Sequence, residues 1–86
     1  MSVSDETMLF PKVEDKPMTA EEVLTRVYKS IQEKGYNPVN QILGYLTSGD
    51  PAYITSYNNA RNDVRRLERD VLIEELLKEY AKAKQL

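Results

Sequence analysis

The chain has 86 residues, with 12 Lys and Arg against 14 Asp and Glu, a formal net charge of −2, and no Cys, His or Trp. The length fits one domain. The missing residue types exclude disulfides, thiolate nucleophiles, imidazole general bases, Ser-His-Asp triads and Cys- or His-based zinc sites. No catalytic pairing, cofactor motif or metal-ligand spacing stands out, so the expectation is a protein without enzymatic chemistry, cofactor or metal.

A pI of about 5.1 argues against a nucleic-acid binder, whose pI is typically above 9. No apolar run approaches the ~18 residues of a membrane span. The acidic start, Met1 to Glu6, lacks the basic and apolar regions of a signal peptide. These features predict a cytoplasmic chain. A domain this small buries only about 60–65% of the surface its unfolded chain exposes. With no disulfide or metal to reinforce it, a homodimer is the expected source of additional core.

Residues 1–18 read as a flexible tail and 19–86 as the folded domain. Pro11 and Pro17 interrupt any helix in the tail, and Met8-Leu9-Phe10 is its one apolar cluster. Such a segment is either a frayed terminus or a docking and modification site. Helix one is predicted to start at Thr19, with Glu22 completing a capping box and Met18 and Val23 a hydrophobic staple. Val23, Leu24, Val27, Tyr28 and Ile31 follow at helical spacing, and Gly35 supplies the left-handed stop.

Asn37-Pro38 opens helix two, whose expected apolar face is Val39, Ile42, Leu43, Tyr45 and Leu46. Gly44 lies inside it at a propensity cost of about 1 kcal/mol, which a close helix–helix contact would explain. Gly49 ends the helix. Asp50-Pro51 repeats the cap-plus-proline device, predicting a short turn through Ile54, and 55–59 reads as a loop. The stretch from Asn59 to Lys84 changes helical phase near Asp70, which predicts two helices with a bend there. With no strand pattern, the expected fold is all-α, a compact bundle of about five short helices.

Arg61, Arg65 and Arg69 fall at i, i+4 and i+8, one face of a continuous helix, with Arg66 beside them. Against Asp63, Glu68 and Asp70 the segment 61–70 carries a net +1, the only basic patch of the chain. It reads as a solvated face paired with its own acids or as a site for phosphate or carboxylate, which the planar guanidinium fork suits. Tyr28, Tyr45 and Tyr80 fall on apolar faces and are read as core or interface residues. Thr7, between Asp5-Glu6 and Met8-Leu9-Phe10, would gain about −1.5 to −2 charge if phosphorylated.

Three blocks carry a resemblance: Glu33-Lys34-Gly35-Tyr36-Asn37-Pro38-Val39-Asn40-Gln41-Ile42, Ser48-Gly49-Asp50-Pro51-Ala52-Tyr53-Ile54, and Ala60-Arg61-Asn62 with Arg65-Arg66-Leu67-Glu68-Arg69-Asp70. From about Thr7 to Tyr80 the chain resembles the IreB family (also known as ReoM), small regulatory phosphoproteins of Gram-positive bacteria. The resemblance implies a helical homodimer whose tail is phosphorylated by a PASTA-domain Ser/Thr kinase and dephosphorylated by a cognate phosphatase. It also implies control of peptidoglycan synthesis, and with it cell-wall antibiotic tolerance, through ClpCP-dependent turnover of the enolpyruvyl transferase MurA.

Residue by residue, Thr7 matches the family's main phosphothreonine, and Ser4 stands where some members carry a second tail threonine. Arg61, Arg65, Arg66 and Arg69 match an arginine-rich helix implicated in function. Thr55-Ser56-Tyr57-Asn58-Asn59 departs from the proline and basic residues usual there. The rival readings are a helix-turn-helix DNA-binding regulator and a structural adaptor with an inert tail.

Overall fold

A computed structural model describes residues 17–86, so the expectations for Ser4, Thr7 and the rest of 1–16 lie outside the described residues. Those residues form four α-helices, α1 (Ala20–Lys34), α2 (Pro38–Ser48), α3 (Ala60–Val64) and α4 (Arg69–Lys84), with single 3-10 turns at Pro51–Tyr53 and Tyr57–Asn59. There is no strand among them. The all-α expectation holds, with four helices and two 3-10 turns in place of about five helices.

The helix boundaries follow local chemistry. The Thr19 N–H donates to Glu22 Oε1 (2.9 Å) and the Glu22 N–H to Thr19 Oγ1 (3.1 Å), the reciprocal capping box that the sequence predicts. Gly35 closes α1 at φ 93°. Asn37 caps α2 by accepting the Asn40 N–H (3.1 Å), with Pro38 in the first turn, and Gly49 ends it at φ 79°. Asp50 caps the first 3-10 turn through the Ala52 N–H (3.0 Å). The second turn falls inside the segment expected to be a loop. Asn58 and Asn59 there adopt φ of 54° and 67°, a left-handed region in which Asn is the most tolerated residue after Gly.

α1 is the central strut, packing against α2, α3 and α4. Val23, Val27 and Ile31 on its inner face are fully buried and meet Ile42, Tyr45, Ile54, Ala60, Val64 and Leu72. Met18 packs against this core at partial burial, as the staple predicts. Three expectations are corrected. Val39 and Leu43 do not join the core face of α2; both are exposed, because Ile42 and Tyr45 take the side that meets α1. The break in the C-terminal stretch falls at residues 65–68 and not at Asp70, so Glu68 is the residue that precedes α4. Gly44 is not set against another helix. A Cβ built on it would lie 2.6 Å from Tyr53 Cδ1, so the Tyr53 ring of the 3-10 turn fills that space.

Gly44→Ala should therefore lower the melting temperature. The gain of about 1 kcal/mol in helix propensity is outweighed by displacing the ring, since overpacking typically costs about 1–3 kcal/mol. In a Tyr53→Ala background the same substitution should raise the melting temperature, a sign reversal that thermal denaturation followed by circular dichroism checks.

Candidate functional site

Arg61, Arg65 and Arg69, expected on one helix face with Arg66 beside them, do not share one. α3 ends at Val64, and Arg65 to Glu68 form a turn before α4. Each arginine therefore points by its own local constraint. The Arg61 Nε–H donates to the Ile54 carbonyl (2.8 Å) and ties α3 to the end of the first 3-10 turn. The Arg69 Nη1–H donates to the Leu46 carbonyl (3.0 Å) near the C-terminus of α2. That helix has no basic residue of its own in the last turn, so Arg69 supplies the cation its carbonyl end favours. Its guanidinium lies against Gly49, where an added Cβ would stand 2.9 Å from Cζ. Arg65 is exposed, and its side chain makes no hydrogen bond or ion pair among the described residues.

Arg66 leads to the most constrained polar group of the fold. Asp63 is 1% exposed. Its Oδ1 accepts from Arg66 Nε (3.1 Å), and its Oδ2 lies 3.2 Å from Arg26 Nε of α1. The Arg26 contact is an ion pair without hydrogen-bond alignment, so Oδ2 has no hydrogen bond among the described residues. Both arginine side chains remain about half exposed. A buried carboxylate thus brings two arginines from different elements side by side. Arg26 was missed in the sequence. The available signal was Asp63 itself, a carboxylate on the same helical face as Ala60, Val64 and Leu67, which needs a cation once that face is buried.

Beside Arg69 an open cleft of about 550 Å³ is lined by Tyr45, Leu46, Glu68, Arg69, Asp70 and Ile73. The two carboxylates beside the guanidinium make it mixed in charge and poorly suited to an anion. Beyond it, Ile73, Leu76, Leu77 and Tyr80 project from α4 as a stripe of exposed apolar side chains, flanking Leu72, which enters the core.

On the α1–α4 seam the carboxylates of Glu21, Glu75 and Glu79 approach within 4.8 Å of one another. A hydrogen bond to Glu79, then desolvation and the negative charges of Glu79 and Glu21, raise the Glu75 pKa, against a lowering by Lys78.

The fold and its surface define a small all-α protein whose conspicuous chemistry is a set of guanidiniums oriented by its own backbone and by one buried acid. The IreB regulatory phosphoprotein family model matches residues 5–82, and the chain belongs to that family. The matched span contains Thr7 and all four arginines of the basic segment, and begins one residue after Ser4. No described helix is long and apolar enough to cross a membrane.

The raised pKa fixes the sign of a pH effect. A carboxylate titrating above its unfolded value is favoured in the protonated form by folding, so stability is gained below the unfolded pKa and lost as pH rises through the folded one. Glu75→Gln, which retains a donor toward Glu79, should raise the melting temperature at pH 7. The difference from the unaltered chain should vanish in melts below about pH 4, where the model-peptide carboxylate is itself protonated.

Proposed function

We propose that the chain is a phosphorylation-controlled regulator that acts by contact with other proteins, with Thr7 as the residue modified. The observation that carries this reading is what the fold does with its other Ser and Thr hydroxyls. Within the matched span, Thr19 is the N-cap of α1, and Ser30 is buried. Thr47 and Ser48 donate to carbonyls of α2 at 2.9 and 2.7 Å, and Thr55 accepts the Tyr57 N–H. Thr25 sits inside α1. A kinase takes its acceptor in an extended segment, which suits none of these. Ser56, exposed and without a side-chain cap bond, and Thr7 are left. Thr7 alone has an acidic approach, Asp5-Glu6, and an apolar flank, Met8-Leu9-Phe10.

The kinase is of the PASTA-domain Ser/Thr class, opposed by a cognate phosphatase, and the meeting takes place in the cytoplasm. Ser4 is a secondary acceptor. The outcome is control of peptidoglycan synthesis, and with it tolerance to cell-wall antibiotics. In this scheme the unphosphorylated form favours ClpCP-dependent degradation of MurA, and phosphorylation relieves it. Family membership supports this part of the reading. The exposed Arg65, with the outer faces of its neighbours, is the part of the arginine segment most open to a partner.

A second copy of the chain covers the apolar stripe of α4. Only nine hydrophobic residues are buried among the described residues, while Leu76, Leu77 and Tyr80 are 41%, 64% and 58% exposed. Full burial of an exposed apolar side chain stabilises by about 1.5–3 kcal/mol; the part of each still exposed supplies a fraction of that, enough to matter for a core this small.

Two measurements test these readings. Incubation of the full chain with the kinase and ATP, followed by mass spectrometry, should place one phosphate on Thr7 that the phosphatase removes; modification of Ser56 alone, or none, overturns the assignment. Sedimentation equilibrium should give about twice the 9.9 kDa chain mass. Leu77→Glu should then give the monomer mass while keeping its helical circular dichroism, since an exposed substitution costs the single chain about 0.5 kcal/mol or less.

A further inference from the structure

We infer that Arg26 and Arg66, held together on Asp63, form the receptor for phosphorylated Thr7 of the same chain, so that phosphorylation draws the N-terminal segment onto the seam between α1 and α3. The inference rests on the reading of Thr7 as the modified residue and assigns the place where the new charge goes.

The anchor is inside and the donors are outside. Asp63 is 1% exposed, and its two oxygens face Arg66 Nε at 3.1 Å and Arg26 Nε at 3.2 Å. One carboxylate therefore holds two guanidiniums adjacent that would otherwise repel. Each is engaged through Nε, and the terminal nitrogens of neither have a hydrogen bond among the described residues, so they are free to donate to a ligand. Two forked donors in fixed proximity match the oxygens of a phosphate monoester. The Arg26 pair lacks hydrogen-bond alignment, so its guanidinium can turn toward a phosphate without breaking a hydrogen bond.

Charge and reach agree. Arg26, Arg66 and Asp63 sum to +1, and a phosphothreonine brings about −1.5 to −2. The alternatives are less suited. Arg61 and Arg69 are committed to the carbonyls of Ile54 and Leu46, and the cleft beside Arg69 is lined by Glu68 and Asp70. Thr7 and Thr19 are twelve positions apart, a tether that extends to about 40 Å. Arg26 lies seven residues beyond Thr19, about 10 Å along the helix. Tethering of this kind gives millimolar effective concentrations, so a weak contact is occupied.

The test uses the full chain with phosphothreonine incorporated at position 7 during synthesis, which removes any dependence on the kinase. The Nε–Hε resonances of Arg26 and Arg66 should shift on phosphorylation while those of Arg61 and Arg69 stay in place. A nonspecific phosphatase should release the phosphate about tenfold more slowly than from a peptide of residues 1–16. Arg26→Lys and Arg66→Lys keep a cation for Asp63 and hence the fold, checked by unchanged circular dichroism, but lose the fork. Each should restore most of the release rate.

Unshifted Arg26 and Arg66 resonances, or equal release from chain and peptide, overturn the inference. So does an Arg26 shift in labelled, unphosphorylated chain mixed with unlabelled phosphorylated chain, which would assign the phosphate to a second copy. Failure of the kinase to modify Thr7 overturns the reading of the acceptor and leaves the docking result standing, so the two are distinguishable.

Discussion

The fold turns on one buried acid. Removing a carboxylate from water costs several kcal/mol unless cations and hydrogen bonds replace the lost hydration, and Asp63 is almost entirely enclosed. The compensation comes from α1 through Arg26 and from the turn after α3 through Arg66. α3 has five residues, too few to persist as an isolated helix. Its placement depends on packing Ala60 and Val64 against α1 and on keeping Asp63 between its two cations. The direction in which the chain leaves α3, and hence where α4 begins, follows from that arrangement.

The remaining arginines show how a surface charge can be part of the scaffold. Arg61 and Arg69 each donate to a carbonyl at or near the end of an element. Hydrogen bonds from charged donors are stronger than neutral ones, so these contacts orient the segments they join. A guanidinium also keeps donors to spare after binding one carbonyl. At Arg61 and Arg69 the backbone carbonyl sets where the guanidinium lies, whereas Arg26 and Arg66 are set by a carboxylate.

Much of the architecture is legible in the sequence because it is written in local chemistry. Thr19 with Glu22, Asn37 with Pro38, Asp50 with Pro51, and the glycines at 35 and 49 all act within a few residues of themselves, and each acts where the spacing says. What escapes is set by distant partners. The i, i+4, i+8 spacing of Arg61, Arg65 and Arg69 implies a shared face only if the helix is unbroken, and the turn at 65–68 breaks it. Arg26 looks like an ordinary surface residue until Asp63 is placed opposite it. Val39 and Leu43 read as core by their apolar character, but the contact with α1 is narrow and Ile42 and Tyr45 fill it. Gly44 correctly signals a close approach, yet only the tertiary fold reveals a tyrosine ring as the neighbour. The phosphoprotein character enters through the family motif, since no hydroxyl announces its own modification.

The slender attachment of α4 has a kinetic meaning. Of its sixteen residues only Leu72 is fully enclosed, and its start is tied to α2 by one guanidinium lying against Gly49. Elements with few enclosed side chains open at lower free energy than the global unfolding transition. In an isolated chain the amides of α4 would exchange with solvent through such openings while those of α1 wait for global unfolding. Whatever covers Leu76, Leu77 and Tyr80 therefore also sets how long the last helix stays closed.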